Sequence, residues 1–383
     1  MGGLRISFVC EEFPLTPGGG RAGRIYNIAK ILAKEHEVHI YCQRYPMTPA
    51  ESVLSGVYIH RVGFVSSPTS YLGRFLSSTL LLPRLLKDGH FDIINTNLLL
   101  PPLPSYIASK IMDTPIIFSC DGLMWHRISG LSLTGYEKGI ITFGCLMEDL
   151  DIMLNHDAYI AVSEGTRRNL ISLGAPPEKT FTVYNGTDLD FIDSIKAEKN
   201  GRPTICFIGC LSPHKDPIGL VKAFKIVLDS IPTARLIIVG SGNMMKRVKE
   251  IVRSLKIQRN VTFTGHVKFE TSIKINKSSH ILVLPSLVEG FGMVLIEANA
   301  CRNPVIAYDI QCVREIVQNG VNGFLVRPRD IDMLADRIIR LLMDEDLRRK
   351  MGEKGRRIVE ERFTWDKAAK ETLKVYNYVL NNK

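Results

Sequence analysis

Glu289-Gly290-Phe291-Gly292-Met293-Val294-Leu295-Ile296-Glu297 is the stretch on which the reading of this chain turns. It follows an apolar run at 281–284 and the turn Pro285-Ser286, so it reads as the passage from a buried strand into a helix. Gly290 and Gly292 let the backbone come close to a ligand, and a helix start offers it unpaired N–H groups and partial positive charge. Phosphate or sugar oxygens suit such a place. Glu289 precedes the helix and can reach forward. Glu297 lies about two turns in, where a carboxylate accepts hydrogen bonds from hydroxyls, as in ribose binding.

Working outward, the same strand-to-helix alternation fills the chain. Strand patterns fall at 6–10, 37–42, 57–62, 93–96, 115–119, 158–162 and 181–184, then at 204–209, 235–239, 261–264, 281–284, 304–308 and 323–326. Helical periodicity occupies much of the sequence between them, including 22–33, 71–86, 217–230, 293–300 and 331–343. A polar stretch at 185–203 separates the two series. The expected fold is α/β, two Rossmann-like doubly wound domains facing an interdomain cleft, with the first at 1–190 and the second at 200–364.

Composition narrows the class. The chain has 383 residues, 45% hydrophobic and 23% charged, enough for two real cores and unlike a disordered or disulfide-stapled protein. Residues 1–193 carry 16 basic and 19 acidic side chains, whereas 194–383 carry 33 and 20, so the second half suits an anion. None of the eight cysteines forms a C-x-x-C pair, and most sit in apolar runs, which reads as reduced and cytoplasmic. No signal-peptide pattern is read, because the first apolar run meets Glu11-Glu12 at once. No apolar run approaches the roughly 20 residues a membrane span needs.

A second glycine run, Gly18-Gly19-Gly20, lies between the first strand and the first helix, a βα loop able to bring amides to a ligand. Further landmarks follow in order: Val162-Ser163-Glu164, Asn185-Gly186-Thr187-Asp188, Phe207-Ile208-Gly209 with Lys215, and Val239-Gly240-Ser241-Gly242. After them come Phe263-Thr264-Gly265-His266-Val267, Asn322-Gly323-Phe324-Leu325-Val326 and Phe363-Thr364-Trp365. In this order and spacing the chain resembles the retaining GT-B glycosyltransferases, specifically glycosyltransferase family 4, over nearly its whole length. The segment 285–300 is similar to that family's E-x7-E signature.

The resemblance implies a hexosyltransferase-type enzyme that moves a sugar, with retention, from a nucleotide diphosphate sugar, UDP- or GDP-linked. The acceptor would be a glycan, a lipid-linked molecule or a small molecule. The second domain would bind the donor and the first the acceptor, with the final helix, 365–383, packing back on the first. Glu297 would hold ribose hydroxyls and Glu289 the donor sugar, while Lys215 would pair with the diphosphate. Gly18, Gly19, Gly20, Gly209, Gly240, Gly242, His266, Gly290, Phe291, Gly292 and Met293 would complete the donor site, and Glu289, Asp121 and Lys215 the catalytic set. No metal and no cofactor is implied, since Lys215 and helix amides can neutralise developing charge.

Two departures from the family pattern stand out. Cys210 occupies the place of an arginine in G-R-L-x-x-x-K, which implies either that His214 or another basic side chain compensates or that activity is low. Phe118-Ser119-Cys120-Asp121-Gly122 puts Asp121 where the family has a histidine, and His126 could supply the imidazole from the next turn. The alternatives are a nucleotide-sugar epimerase or a phosphorylase of the same plan, a non-catalytic nucleotide-sugar-binding subunit, and, more distantly, an NAD-dependent dehydrogenase, which lacks its G-x-G-x-x-G. The basic run 348–357 reads as the solvated face of a helix, not a nucleic-acid reader. Residues 71–87 combine leucines and aromatics with Arg74, Arg84 and Lys87, a pattern fit either for a peripheral membrane surface contact or for a core-packed helix, with Pro83 breaking the last turn.

Overall fold

The computed structural model describes residues 3–10, 13, 20–45, 48–63, 79–97, 102–123 and 135–382. The chain divides into two compact units, Met1–Asn185 with Trp365–Lys383, and Gly186–Thr364.

The first unit holds strands β1 (Arg5–Val9), β2 (Glu37–Gln43), β3 (Glu51–Leu54), β4 (Val57–Val62), β5 (Ile93–Thr96), β6 (Ile116–Cys120), β7 (Ala158–Ala161) and β8 (Thr180–Thr182). They form one sheet in the order β3-β4-β2-β1-β5-β6-β7-β8, parallel except for the edge strand β3. β5, β6 and β7 are buried along their whole length, as parallel strands covered by helices on both faces are, and the polar Asn95 and Ser119 within them are paired by hydrogen bonds. β3 escapes the sequence pattern, since Glu51-Ser52-Val53-Leu54 alternates exposed and half-buried positions on the sheet edge.

The second unit holds β9 (Thr204–Ile208), β10 (Arg235–Val239), β11 (Val261–Gly265), β12 (Ile281–Leu284), β13 (Val305–Tyr308) and β14 (Gly323–Val326). Their order, β11-β10-β9-β12-β13-β14, is the doubly wound order 3-2-1-4-5-6. The chain winds outward from β9 through β10 to β11, then crosses back and continues from β12 the other way. Ligands of such sheets collect at that reversal, beyond the carboxyl ends of the two central strands.

Residues 186–190, expected with the first domain, belong to the second unit. The reason is local: the Thr187 amide donates to the Phe363 carbonyl at 2.9 Å, and Asp193 on the next short helix meets Arg356 at 2.7 Å. The last helix, Trp365–Asn381, belongs to the first unit. Its Trp365, Ala368, Ala369, Thr372, Val375, Tyr376 and Val379 form one buried stripe at helical spacing. The Asn95 amide donates to the Tyr376 hydroxyl at 2.8 Å, and Tyr378 meets Phe181 edge-on.

The basic run 348–357 is not uniformly solvated. Arg356 is buried, donates to both Asp193 oxygens and to the Ala300 carbonyl, and pairs with Glu360. Gly352 and Gly355 bring that helix onto helix Met293–Ala300, because a Cβ at Gly355 would lie 2.4 Å from Asn299 Oδ1. Of the 71–87 segment, residues 71–78 lie outside the described residues. The remainder forms helix Leu81–Asp88, in which Pro83 sits in the first turn, where proline is tolerated, and breaks nothing. Its Leu81 and Leu85 are core, and Arg84 pairs with Glu51 and Asp88. No described helix is long and apolar enough to cross a membrane.

Candidate active site

Two loops leave adjacent strands at the reversal point of the second sheet. The first follows β9 and runs through Gly209, the exposed Cys210, and the short turn Pro213–Lys215. It ends on Asp216, whose backbone is left-handed at φ +41°. Aspartate tolerates that conformation better than most residues. Here its carboxylate is fixed on both sides: the Gly219 amide donates to Oδ1 at 3.0 Å and the Tyr308 hydroxyl to Oδ2 at 2.9 Å. Pro217 then opens the following helix with its φ already set. The effect is to hold Lys215, immediately before Asp216, in one place. Sequence reasoning missed Asp216 and Tyr308; the Asp-Pro-x-Gly run was the available signal for the first.

The second loop follows β12. The Leu287 amide donates to the His214 carbonyl at 2.7 Å, tying it to the first. This brings the Lys215 ammonium onto Glu289 Oε1, an ion pair with each side chain less than one-fifth exposed. The Cys312 thiol donates to the Glu289 carbonyl at 3.2 Å. Gly292, left-handed at φ +106°, then turns the chain into helix Met293–Ala300; the Leu295 amide donates back to the Gly292 carbonyl at 2.9 Å, which leaves the amides of Met293 and Val294 as the ones without intrahelical acceptors. Within that helix Glu297 is buried, and burial alone pushes its carboxyl up to about 7. Lys215 and Glu289, chosen from sequence, thus belong to two loops that meet, and Glu297 to the helix that the second loop opens.

Burial and the adjacent Lys215 charge hold the His214 imidazole below its ordinary value. Ser212 Oγ lies 3.2 Å from its Nδ1. Lys215 carries a positive side-chain charge in this loop.

Gly240 and Gly242 brace the first loop from behind. The Gly209 amide donates to the Val239 carbonyl at 3.0 Å and the Leu211 amide to the Ser241 carbonyl at 2.9 Å. A Cβ at Gly240 would stand 2.0 Å from the Gly209 carbonyl, and one at Gly242 2.3 Å from that of Leu211. The Gly240 amide is itself donated to Gly265. Gly240→Ala is accordingly expected to cost about 1–3 kcal/mol through backbone displacement at a positive φ. Urea unfolding would measure it, and an unchanged midpoint would show that the brace yields without cost. His266 is exposed at the end of β11.

Gly18 and Gly19 lie outside the described residues, as does His126; Gly20 opens helix Gly20–Leu32. Asp121 ends β6 in the first unit, its Oδ1 3.9 Å from Nε of the buried Arg24.

Family models carry the same division as the geometry. Residues 18–191 match Glycosyltransferase Family 4, and residues 189–358 match Glycosyl transferases group 1. The chain belongs to glycosyltransferase family 4. An uncharacterised glycosyltransferase of Methanocaldococcus jannaschii is 27% identical, covering 98% of this chain and 99% of its own. N-acetyl-alpha-D-glucosaminyl L-malate synthase of Bacillus anthracis is 26% identical, covering 99% and 98% respectively. Among solved structures, sucrose-phosphate synthase from Thermosynechococcus elongatus superposes with TM-score 0.84 at 20% identity, covering 99% of this chain and all 100% of that one. Anabaena HepE, in complex with UDP and glucose, gives 0.77 at 19% identity over 98% and 100%. These glycosyltransferases share the GT-B fold with the present chain.

Proposed function

We propose that this family 4 member transfers a hexosyl group, with retention, from a nucleoside diphosphate sugar bound by the second unit to an acceptor bound by the first. The observation that carries the reading is the meeting of Lys215 with Glu289 at the β9/β12 reversal, one helix away from the buried Glu297. A diphosphate laid on the first-turn amides of helix Met293–Ala300 and on Lys215 would be neutralised by groups already in place. Once it does so, Glu289 is released toward the hydroxyls of the sugar. Glu297, buried in that helix, accepts from the ribose hydroxyls.

In the transfer, the bond from the anomeric carbon to the diphosphate oxygen breaks as the acceptor hydroxyl bonds to that carbon from the same face. The acceptor proton passes to the departing diphosphate oxygen. Lys215 and the helix amides stabilise that charge without calling for a metal. HepE is in complex with UDP and glucose, which favours a nucleotide-sugar donor here, and the Bacillus relative is named as an N-acetyl-alpha-D-glucosaminyl L-malate synthase, which favours a sugar as the transferred group.

The test is turnover with a panel of UDP-, GDP- and ADP-sugars, in chelator, followed by released nucleoside diphosphate. Release from at least one donor, with retained anomeric configuration in the product by NMR, is expected. Binding of a donor with no transfer or hydrolysis under any condition would favour the non-catalytic binding subunit instead.

A further inference from the structure

The first unit buries a cation that its own residues leave short of partners. Arg24 is 3% exposed, yet its Nε and Nη2 find no hydrogen-bond partner among the described residues. Asp121 is its ion-pair partner, with Oδ1 3.9 Å from Nε, beyond hydrogen-bond reach. Burial draws the guanidinium pKa below its ordinary value, with Asp121 the largest opposing influence. Asn97 is 4% exposed, and both polar atoms of its side chain lack partners among the described residues.

Placement gives these groups a common address. Arg24 lies on the helix that follows β1, Asn97 directly follows β5, and Asp121 directly follows β6. In the sheet those strands are consecutive neighbours, and the winding reverses between β1 and β5. This is the crevice where a doubly wound sheet takes its ligand. The adjoining polar network is satisfied by contrast: Ser119 donates to Asn95 Oδ1, and the Asn95 amide to Tyr376, each at 2.8 Å. Nor is the surrounding half generally basic, since 1–193 carries more acidic than basic residues. Among the described residues of this crevice the buried Arg24 guanidinium, facing Asp121, provides the positive charge.

A buried guanidinium with open N–H groups is costly until an anion takes them, and carboxylate and phosphate match its fork with paired oxygens. We propose that the first unit takes an acceptor bearing a carboxylate or a phosphate, with Arg24 binding that oxyanion and Asn97 a neighbouring polar group. This rests on the reading of the first unit as the acceptor-binding one, and it names the chemical class of that acceptor.

Calorimetry on the full chain tests it, with succinate and glycerol 3-phosphate as probes beside their neutral counterparts succinamide and glycerol. The wild type is expected to bind at least one anionic probe and neither neutral one; which anion binds identifies the oxyanion. Arg24→Met should weaken that binding roughly tenfold or more, and Arg24→Lys by less. Asn97→Asp, which sets a like charge beside the anion, should abolish it, and serves if Arg24→Met fails to fold. Lys215→Ala should leave it within about twofold, since Lys215 belongs to the second unit. Equal binding of neutral and anionic probes, no binding of either anion, or indifference to Arg24→Met overturns the proposal. So does loss on Lys215→Ala alone, which would place the anion on the β9 loop. Nucleotide-sugar binding measured in the same protein keeps the two readings apart, because it can stand while the anion site fails.

Discussion

Lys215→Ala is expected to lower turnover roughly 100- to 1000-fold, the loss usual when one preorganised group facing developing charge is removed. In most of the family an arginine would share this work, but here Cys210 stands in its place, and burial and the Lys215 charge hold the His214 imidazole below its ordinary value. The variant also strands Glu289, whose carboxylate is mostly buried and paired with Lys215. A drop in stability is therefore expected as well, below the cost of a fully buried charge because both groups keep some solvent contact. The double variant Lys215→Ala/Glu289→Ala separates the two effects: it should recover stability and remain inactive. Single-turnover release of nucleoside diphosphate and thermal melting give the two readouts. Turnover within about threefold of wild type in a folded Lys215→Ala protein would remove Lys215 from the leaving-group site, since that is under one-tenth of the expected factor.

The strands of both sheets were legible because parallel strands covered on both faces must be apolar throughout, as Thr204-Ile205-Cys206-Phe207-Ile208 is. β3 was not, because an edge strand half in solvent has no such run. Lys215, Glu289 and Glu297 stood out through their fixed places beside glycines and strand ends. Gly240 and Gly242 stood out too, but the sequence suggested contact with a ligand, whereas the backbone carbonyls behind them are what exclude a side chain. Only the fold reveals that, since the carbonyls belong to residues about thirty positions earlier. Arg356 and Arg24 show the same limit from the other direction. Each sits among residues that look solvated or permissive in one dimension, and each is buried once the fold is formed. A charge pattern marks where basic side chains occur, while burial depends on which helix face meets a neighbour.

Glu297→Gln is expected to trade ligand affinity for stability. The Glu297 carboxyl is raised to about 7 by burial from an ordinary value of 4.5, so the folded chain holds its proton across a range in which the unfolded chain has released it. Folding is therefore favoured below about 4.5 and loses stability as pH rises through about 7, beyond which the loss levels off. At pH 8 the neutral glutamine avoids that penalty, which has a ceiling of about 3 kcal/mol; near pH 5 the two proteins should melt alike. Donor binding should run the other way. Ribose hydroxyls stabilise the ionised carboxylate, so the wild type is expected to bind the donor roughly tenfold more weakly at pH 6 than at pH 8, while Glu297→Gln binds weakly at both. Melting curves and calorimetry at the three pH values measure both halves. A variant that is no more stable at pH 8 and keeps the wild-type pH dependence of donor affinity would show that Glu297 neither bears the burial penalty nor receives the ribose. The combination expected here is that of a carboxylate kept buried for a ligand, in which the free protein gives up stability that the bound donor restores.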